Sequence, residues 1–140
     1  MSHNPHNPIA SLPLQLRTVF VALADRQDVA LVSFYRQLIG EPTTHLPGVY
    51  TEFQLPGLRL GIFQPKASHQ AEFASRSSGS MSLCIEVEQL ETAIEHLRRI
   101  GSPISGEITI AKHGREIYAY DPAGNRLILH EAKVQPTVEE

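Results

Sequence analysis

YAYDPAGNRLILHE, residues 118–131, is the stretch whose reading decides the fold. Asp121-Pro122-Ala123-Gly124 is a turn: proline holds φ near about −65°, glycine accepts a positive φ, and the short polar side chains of Asp121 and Asn125 can satisfy local backbone donors. The flanking residues are β-favouring on both sides, so the turn joins a strand at 115–120 to a last strand over NRLILHE.

Working outward, the same construction occurs earlier in the chain. PAGNRLILH (122–130) repeats PGLRLGIF (56–63) with one residue more, and SLCIE…HLRRIG (82–101) repeats FVALA…FYRQLIG (20–40) with one residue less. The offset is about 61 to 67 residues, which marks an internal duplication. The first copy, 16–63, opens with a strand at 16–24. A helix follows at 28–40, with Val29, Val32, Phe34, Leu38 and Ile39 near a 3.6-residue period and Gly40 as its stop. After a loop holding Pro42 and Pro47 comes a hairpin, 49–55 and 58–63, turning at Pro56-Gly57.

Residues 64–80 are polar and serine-rich and read as a linker, either lid or plain loop, with a short ordered piece around 71–74. The second copy, 81–132, has a strand at 81–87 and a helix at 89–99, apolar at Leu90, Ala93, Ile94 and Leu97. Short strands at 108–111 and 115–120 and the last strand complete it. The expected fold is α+β: two βαβββ modules in one domain, 14–133, whose curved mixed sheets form a concave cleft. The tails 1–13 and 134–140 hold too little apolar surface to offset the entropy of ordering and are expected to be mobile.

Composition narrows the function. With 41% hydrophobic and 19% charged residues and no apolar run near the roughly 20 residues of a bilayer crossing, the chain is globular and no membrane partner is expected. A net charge of −3 without a basic stripe argues against nucleic acid. Cys84 is the only cysteine, which excludes an intrachain disulfide, a thiolate cluster and a CxxC pair. The start, MSHNPHNPIASLP, does not read as a secretory signal, so a cytoplasmic location is the expectation.

FVALAD, FYRQLIG, LRLGIF, SLCIEVEQLETAIEHLRRIG and YAYDPAGNRLILHE, in this order, resemble the vicinal oxygen chelate superfamily over about residues 16–132. That superfamily includes glyoxalase I, extradiol dioxygenases, fosfomycin-resistance enzymes and bleomycin-binding proteins. The resemblance implies a divalent metal held by His, Gln or Glu on four strands, but the corresponding positions here read Phe20, Gly61, Ser82 and Ile128. Phe, Gly and Ile offer no side-chain lone pair and a serine hydroxyl is a poor ligand, so neither the usual metal nor any other cofactor is expected. Without that Lewis acid, the superfamily's metal-dependent reactions lose their activating group.

In alternating strands Arg59 shares a face with Gly61 and Phe63, and Arg126 and His130 share one with Ile128. Arg59, Arg126 and His130 are therefore candidate rim residues, and the two arginines could receive an anion by forked hydrogen bonds. Phe20, Ile128, Ser82 and Cys84 would line an amphipathic pocket, with Cys84 read as a buried, inert thiol between apolar neighbours. Glu52, Tyr118 and Tyr120 could add hydrogen bonds or stacking. His113 reads as exposed in a KHG loop, and His96 as sitting at the wet edge of its helix. No histidines show a recognised ligand spacing.

Three functions follow. One is metal-free binding of a small organic ligand. Another is a lyase, isomerase or dioxygenase that uses a displaced metal set such as Glu52, His113 and His130, or no metal. The last is a structural or regulatory module with a closed cleft. The sequence leaves open whether the chain is an enzyme. The resemblance implies a homodimer, and leaves open whether the modules close a cleft within one chain or across two.

Overall fold

The computed structural model describes residues 14–26, 30–74 and 79–133. Both expected tails, Val29 and part of the serine-rich run lie outside the described residues. Module one runs β1 (Val21–Ala24), α1 (Leu31–Ile39), β2 (Thr44–Leu46), β3 (Tyr50–Leu55) and β4 (Leu58–Phe63). Module two runs β5 (Leu83–Glu86), α2 (Leu90–Arg99), β6 (Ile104–Ala111), β7 (Gly114–Tyr120) and β8 (Arg126–Ala132). Between them a 3₁₀ segment spans Ala67–Phe73.

The duplication read from sequence appears as two sheets of identical order, β1-β4-β3-β2 and β5-β8-β7-β6. In each, the first strand lies parallel to the last and the other pairings are antiparallel. The β3–β4 hairpin turns at Pro56-Gly57, where Gly57 takes φ 75°.

Several element bounds differ from expectation for physical reasons. The strand expected at 16–24 begins only at Val21, because its sole partner β4 offers registered positions from Leu60 to Phe63. Thr44–Leu46, expected as loop, pairs with β3 as an edge strand. Flanking Pro42 and Pro47 hide it, yet an edge position tolerates proline just beyond its ends. β6 begins at Ile104 and is broken by a register shift between Ser105 and Thr109, where Gly106 adopts φ 72°.

Alternation sorts the strand residues into two faces. Leu60 and Ile62 in β4, with Leu127 and Leu129 in β8, point toward the helices. They join Leu31, Phe34 and Tyr35 of α1 and Leu90, Ile94 and Leu97 of α2 in one buried cluster spanning both modules. Two polar contacts cross the same junction. The Tyr35 hydroxyl donates to Asp121 Oδ2 at 2.7 Å in the interior, and His96 Nε2 lies 2.8 Å from the Gln37 carbonyl. His96 is therefore half-buried at a helix–helix contact, not on the wet edge expected for it, because the C-terminal end of α1 comes to rest against it.

Candidate functional site

The other face of each sheet carries nearly all the residues singled out above. Cross-strand register puts Ala22, Gly61 and Glu52 side by side in module one, and Cys84, Ile128 and Tyr118 side by side in module two. These faces turn away from the shared core: Phe20 is 39% exposed and Tyr118 41%. Cys84 is exposed too, which corrects the expectation of a buried thiol. Leu83 on the same strand packs against the core on the helix side, so alternation sends the thiol outward.

On the module-one face the side chains are tied to one another. The Arg59 guanidinium lies 4.3 Å from the Phe20 ring centroid, a cation–π contact, and its Nε is 3.6 Å from Glu52 Oε1. The Tyr50 hydroxyl donates to the same Glu52 oxygen at 2.7 Å. Partial desolvation and this bond to a carboxylate raise the Tyr50 pKa. The ring of Tyr50 lies over Gly61, so a Cβ at residue 61 would be 2.6 Å from its Oη and 2.8 Å from Cε1.

On the module-two face His130 Nδ1 lies 2.7 Å from Glu86 Oε1. Arg126 Nη1 donates to Ser82 Oγ at 3.0 Å and to the Met81 carbonyl at 3.3 Å, and Nη2 donates to the Gly79 carbonyl at 2.9 Å. His113 is exposed at the β6–β7 turn.

The residues at the superfamily's metal positions do not fit a metal. Phe20 and Ile128 have no donor, Ser82 is engaged by Arg126, and the space beside Gly61 is filled by Tyr50. Among the described residues no three His, Cys, Asp or Glu side chains come together as a possible metal site. Glu52, His113 and His130, named above as a displaced set, are accordingly not gathered at one point.

A cavity of about 340 Å³ opens between the two modules, lined by residues of β1 and the start of β5, an edge strand of each sheet. Its apolar wall is made by Val21, Leu23, Leu60, Leu83 and Ala123, and Phe73 of the 3₁₀ segment closes one side. Phe73 is held there by an edge-to-face contact with Phe63 at 5.4 Å. Ser82, Asn125, Arg126, Arg26 and Glu72 supply the polar part. Ser82 and Arg126 are thus the two sequence candidates that the cavity gathers. Arg59 and His130 do not line it, so the two arginines proposed as one anion clamp stand apart.

Sequence reasoning missed Tyr35, whose ring forms part of the cavity wall, and the role of the 3₁₀ segment. Position 35 falls beside the expected apolar set; its ring packs near Phe34 and Phe53, and its hydroxyl finds the distant Asp121. Burial and the Asp121 carboxylate push the Tyr35 pKa well above its usual value, so the hydroxyl remains a donor.

Comparison with known proteins fits this geometry. A glyoxalase/bleomycin resistance protein/dioxygenase from Nocardioides superimposes with a TM-score of 0.66 at 20% identity, covering 94% of this chain and 93% of that one. Protein ATC0852 from Agrobacterium tumefaciens has a TM-score of 0.66 at 25% identity, covering 82% and 96%. The fosfomycin resistance protein FosX from Listeria monocytogenes has a TM-score of 0.65 at 15% identity, covering 85% and 95%. No curated protein matches the chain. The profile of the Glyoxalase/Bleomycin resistance protein/Dioxygenase superfamily matches residues 18–129, nearly the whole of both modules. With duplicated sheets, the turn at Asp121 and a profile match of that length, the chain belongs to the glyoxalase/bleomycin resistance protein/dioxygenase superfamily.

Proposed function

We propose that this protein binds a small organic molecule in the cavity between its two modules and uses no metal at the superfamily's usual place. The observation that carries this reading is the cavity itself. Its volume of about 340 Å³ falls within the usual size of ligand sites, and it combines an apolar wall with a few placed polar groups. A purely structural module would be expected to have a filled interior at this point. Catalysis would call for converging groups with perturbed pKa values. Of the perturbed groups among the described residues, only Tyr35 touches the cavity, and its hydroxyl is committed to Asp121.

The test is a fragment screen followed by amide NMR, together with metal analysis of untagged protein purified without chelator. The reading expects shifts at Val21–Ala24 and Ser82–Leu83, and metal below about a tenth per chain. Stoichiometric metal that disappears on Glu52→Gln or His130→Gln would overturn it.

A homodimer is part of the proposal. Both outer faces carry half-exposed aromatic side chains, and β1 and β5 each pair on one side only. A second copy that laid its module two against module one would cover both. Sedimentation should give a dimer, and a monomer at about 100 μM would remove this part. A second reading, metal-independent acid–base catalysis, is favoured by the His130–Glu86 pair on the outer face. No helix among the described residues is long and apolar enough to cross a membrane.

A further inference from the structure

The polar part of the cavity's lining includes Arg126, Arg26 and Glu72. Arg126 is the informative one. All three of its hydrogen bonds end on neutral oxygens: the Gly79 and Met81 carbonyls and Ser82 Oγ. None of the ion pairs among the described residues includes it. A half-buried guanidinium is thus fixed in direction at the cavity wall, while its charge has no carboxylate partner among the described residues.

A guanidinium has five N–H groups and these three bonds use three of them, leaving two for a further acceptor. Arg115 shows what the same side chain does when carboxylates are available. It grips Glu91 through both terminal nitrogens at 2.6 and 2.8 Å, and Glu131 besides. Arg126 has the fixed cation without an anion among the described residues. The cavity's apolar wall is Val21, Leu23, Leu60, Leu83, Ala123 and Phe73.

We infer that the ligand is an amphipathic monocarboxylate, its anionic group on the free N–H groups of Arg126 and its compact hydrocarbon body against Val21, Leu60, Leu83 and Phe73. This rests on the binding reading above and adds the chemical class. Ser82 and the two carbonyls act as positioning groups, because they hold the guanidinium toward the cavity before a ligand arrives and so reduce the entropy lost on binding. Glu72, on the 3₁₀ segment, disfavours a second negative charge and restricts the class to monoanions.

The experiment titrates the full chain with octanoate, with octanol as the neutral molecule of equal chain length, and with inorganic phosphate as an anion lacking a body. Octanoate should bind about tenfold or more tightly than octanol, and phosphate should not bind measurably. In unmodified protein the Arg126 Nε–Hε resonance should move with octanoate and stay still with octanol, a readout that needs no variant. Arg126→Gln should bring octanoate down to the affinity of octanol, and Arg126→Lys should retain part of the difference.

Equal binding of octanoate and octanol, with both shifting Val21 and Leu83, would overturn the carboxylate assignment and leave the binding reading standing. Phosphate binding as tight as octanoate would overturn the amphipathic class. If neither octanoate, octanol nor any member of the fragment screen perturbed Val21–Ala24 or Ser82–Leu83, the cavity would not be a ligand site and both proposals would fall.

Discussion

Gly61 and Tyr50 define the chemistry of the module-one face as a pair. A ligating side chain at residue 61 would need the volume that the Tyr50 ring occupies, and the ring is fastened by its bond to Glu52. Gly61→Ala is therefore expected to destabilise the protein by about 1 to 3 kcal/mol, the usual range for forcing extra volume into a packed place. In a Tyr50→Ala background most of that cost should vanish, and a double-mutant cycle in urea would measure the coupling. Additive effects would mean that the ring moves aside freely. A second residue-scale pair is Tyr35 with Asp121, joined in the interior at 2.7 Å. Tyr35→Phe should cost about 1 to 2 kcal/mol in urea unfolding, because Asp121 Oδ2 loses one donor and keeps the other, Asn125 Nδ2. The sequence marked Asp121 as a turn residue, correctly, since its Oδ1 accepts from the Ala123 and Asn125 backbone N–H groups. It could not show Tyr35 as the partner, because nothing in a linear pattern brings together residues 86 positions apart.

Helix α2 owes its placement to a charged cluster at its first turn. Glu131 Oε2 on β8 accepts the Leu90 N–H and so caps the helix from a distant strand, while Arg115 on β7 bridges Glu131 and Glu91. The hydrogen bonds from Arg115 bring the Glu91 carboxyl down to about 2 from its ordinary 4.5. A depressed folded-state pKa contributes stability that is present in full above about pH 4.5 and is lost as pH falls toward about 2. Urea midpoints for wild type and Glu91→Gln should therefore differ above pH 4.5 and converge by about pH 2. A gap that persisted at pH 2 would show that the cluster acts through packing instead of charge. At this scale the sequence was informative wherever periodicity and turn chemistry agreed, as in α2 and the β3–β4 hairpin. It was uninformative for β2, whose pairing depends on Tyr50–Glu52 being available as a neighbour, and for the 3₁₀ segment, whose polar residues follow no period.

At the scale of the whole molecule, the two modules are joined through a single cluster of buried side chains. Neither half keeps a complete core of its own, so thermal unfolding followed by circular dichroism and by amide exchange should give one transition, and Leu60→Ala should lower protection in β8 as well as β4. Two separable transitions would show that the halves fold independently. The duplication itself was legible from two repeated phrases, and the family from their order. The location of the cavity was not, because it depends on how the edge strands β1 and β5 of two sheets come together, a relation between copies that neither copy encodes alone. This arrangement divides each strand's residues between two tasks. Ile62, Leu127 and Leu129 answer to folding, and Leu60 to folding and the cavity wall alike, while Arg59, Gly61, Ile128 and His130, interleaved with them, lie on the opposite side. Substitutions in the second set that respect local neighbours such as Tyr50 can change what the surface recognises with little risk to the fold. That separation would let recognition diverge in a lineage, or be redesigned at the bench, while the buried half of every strand is left as it is.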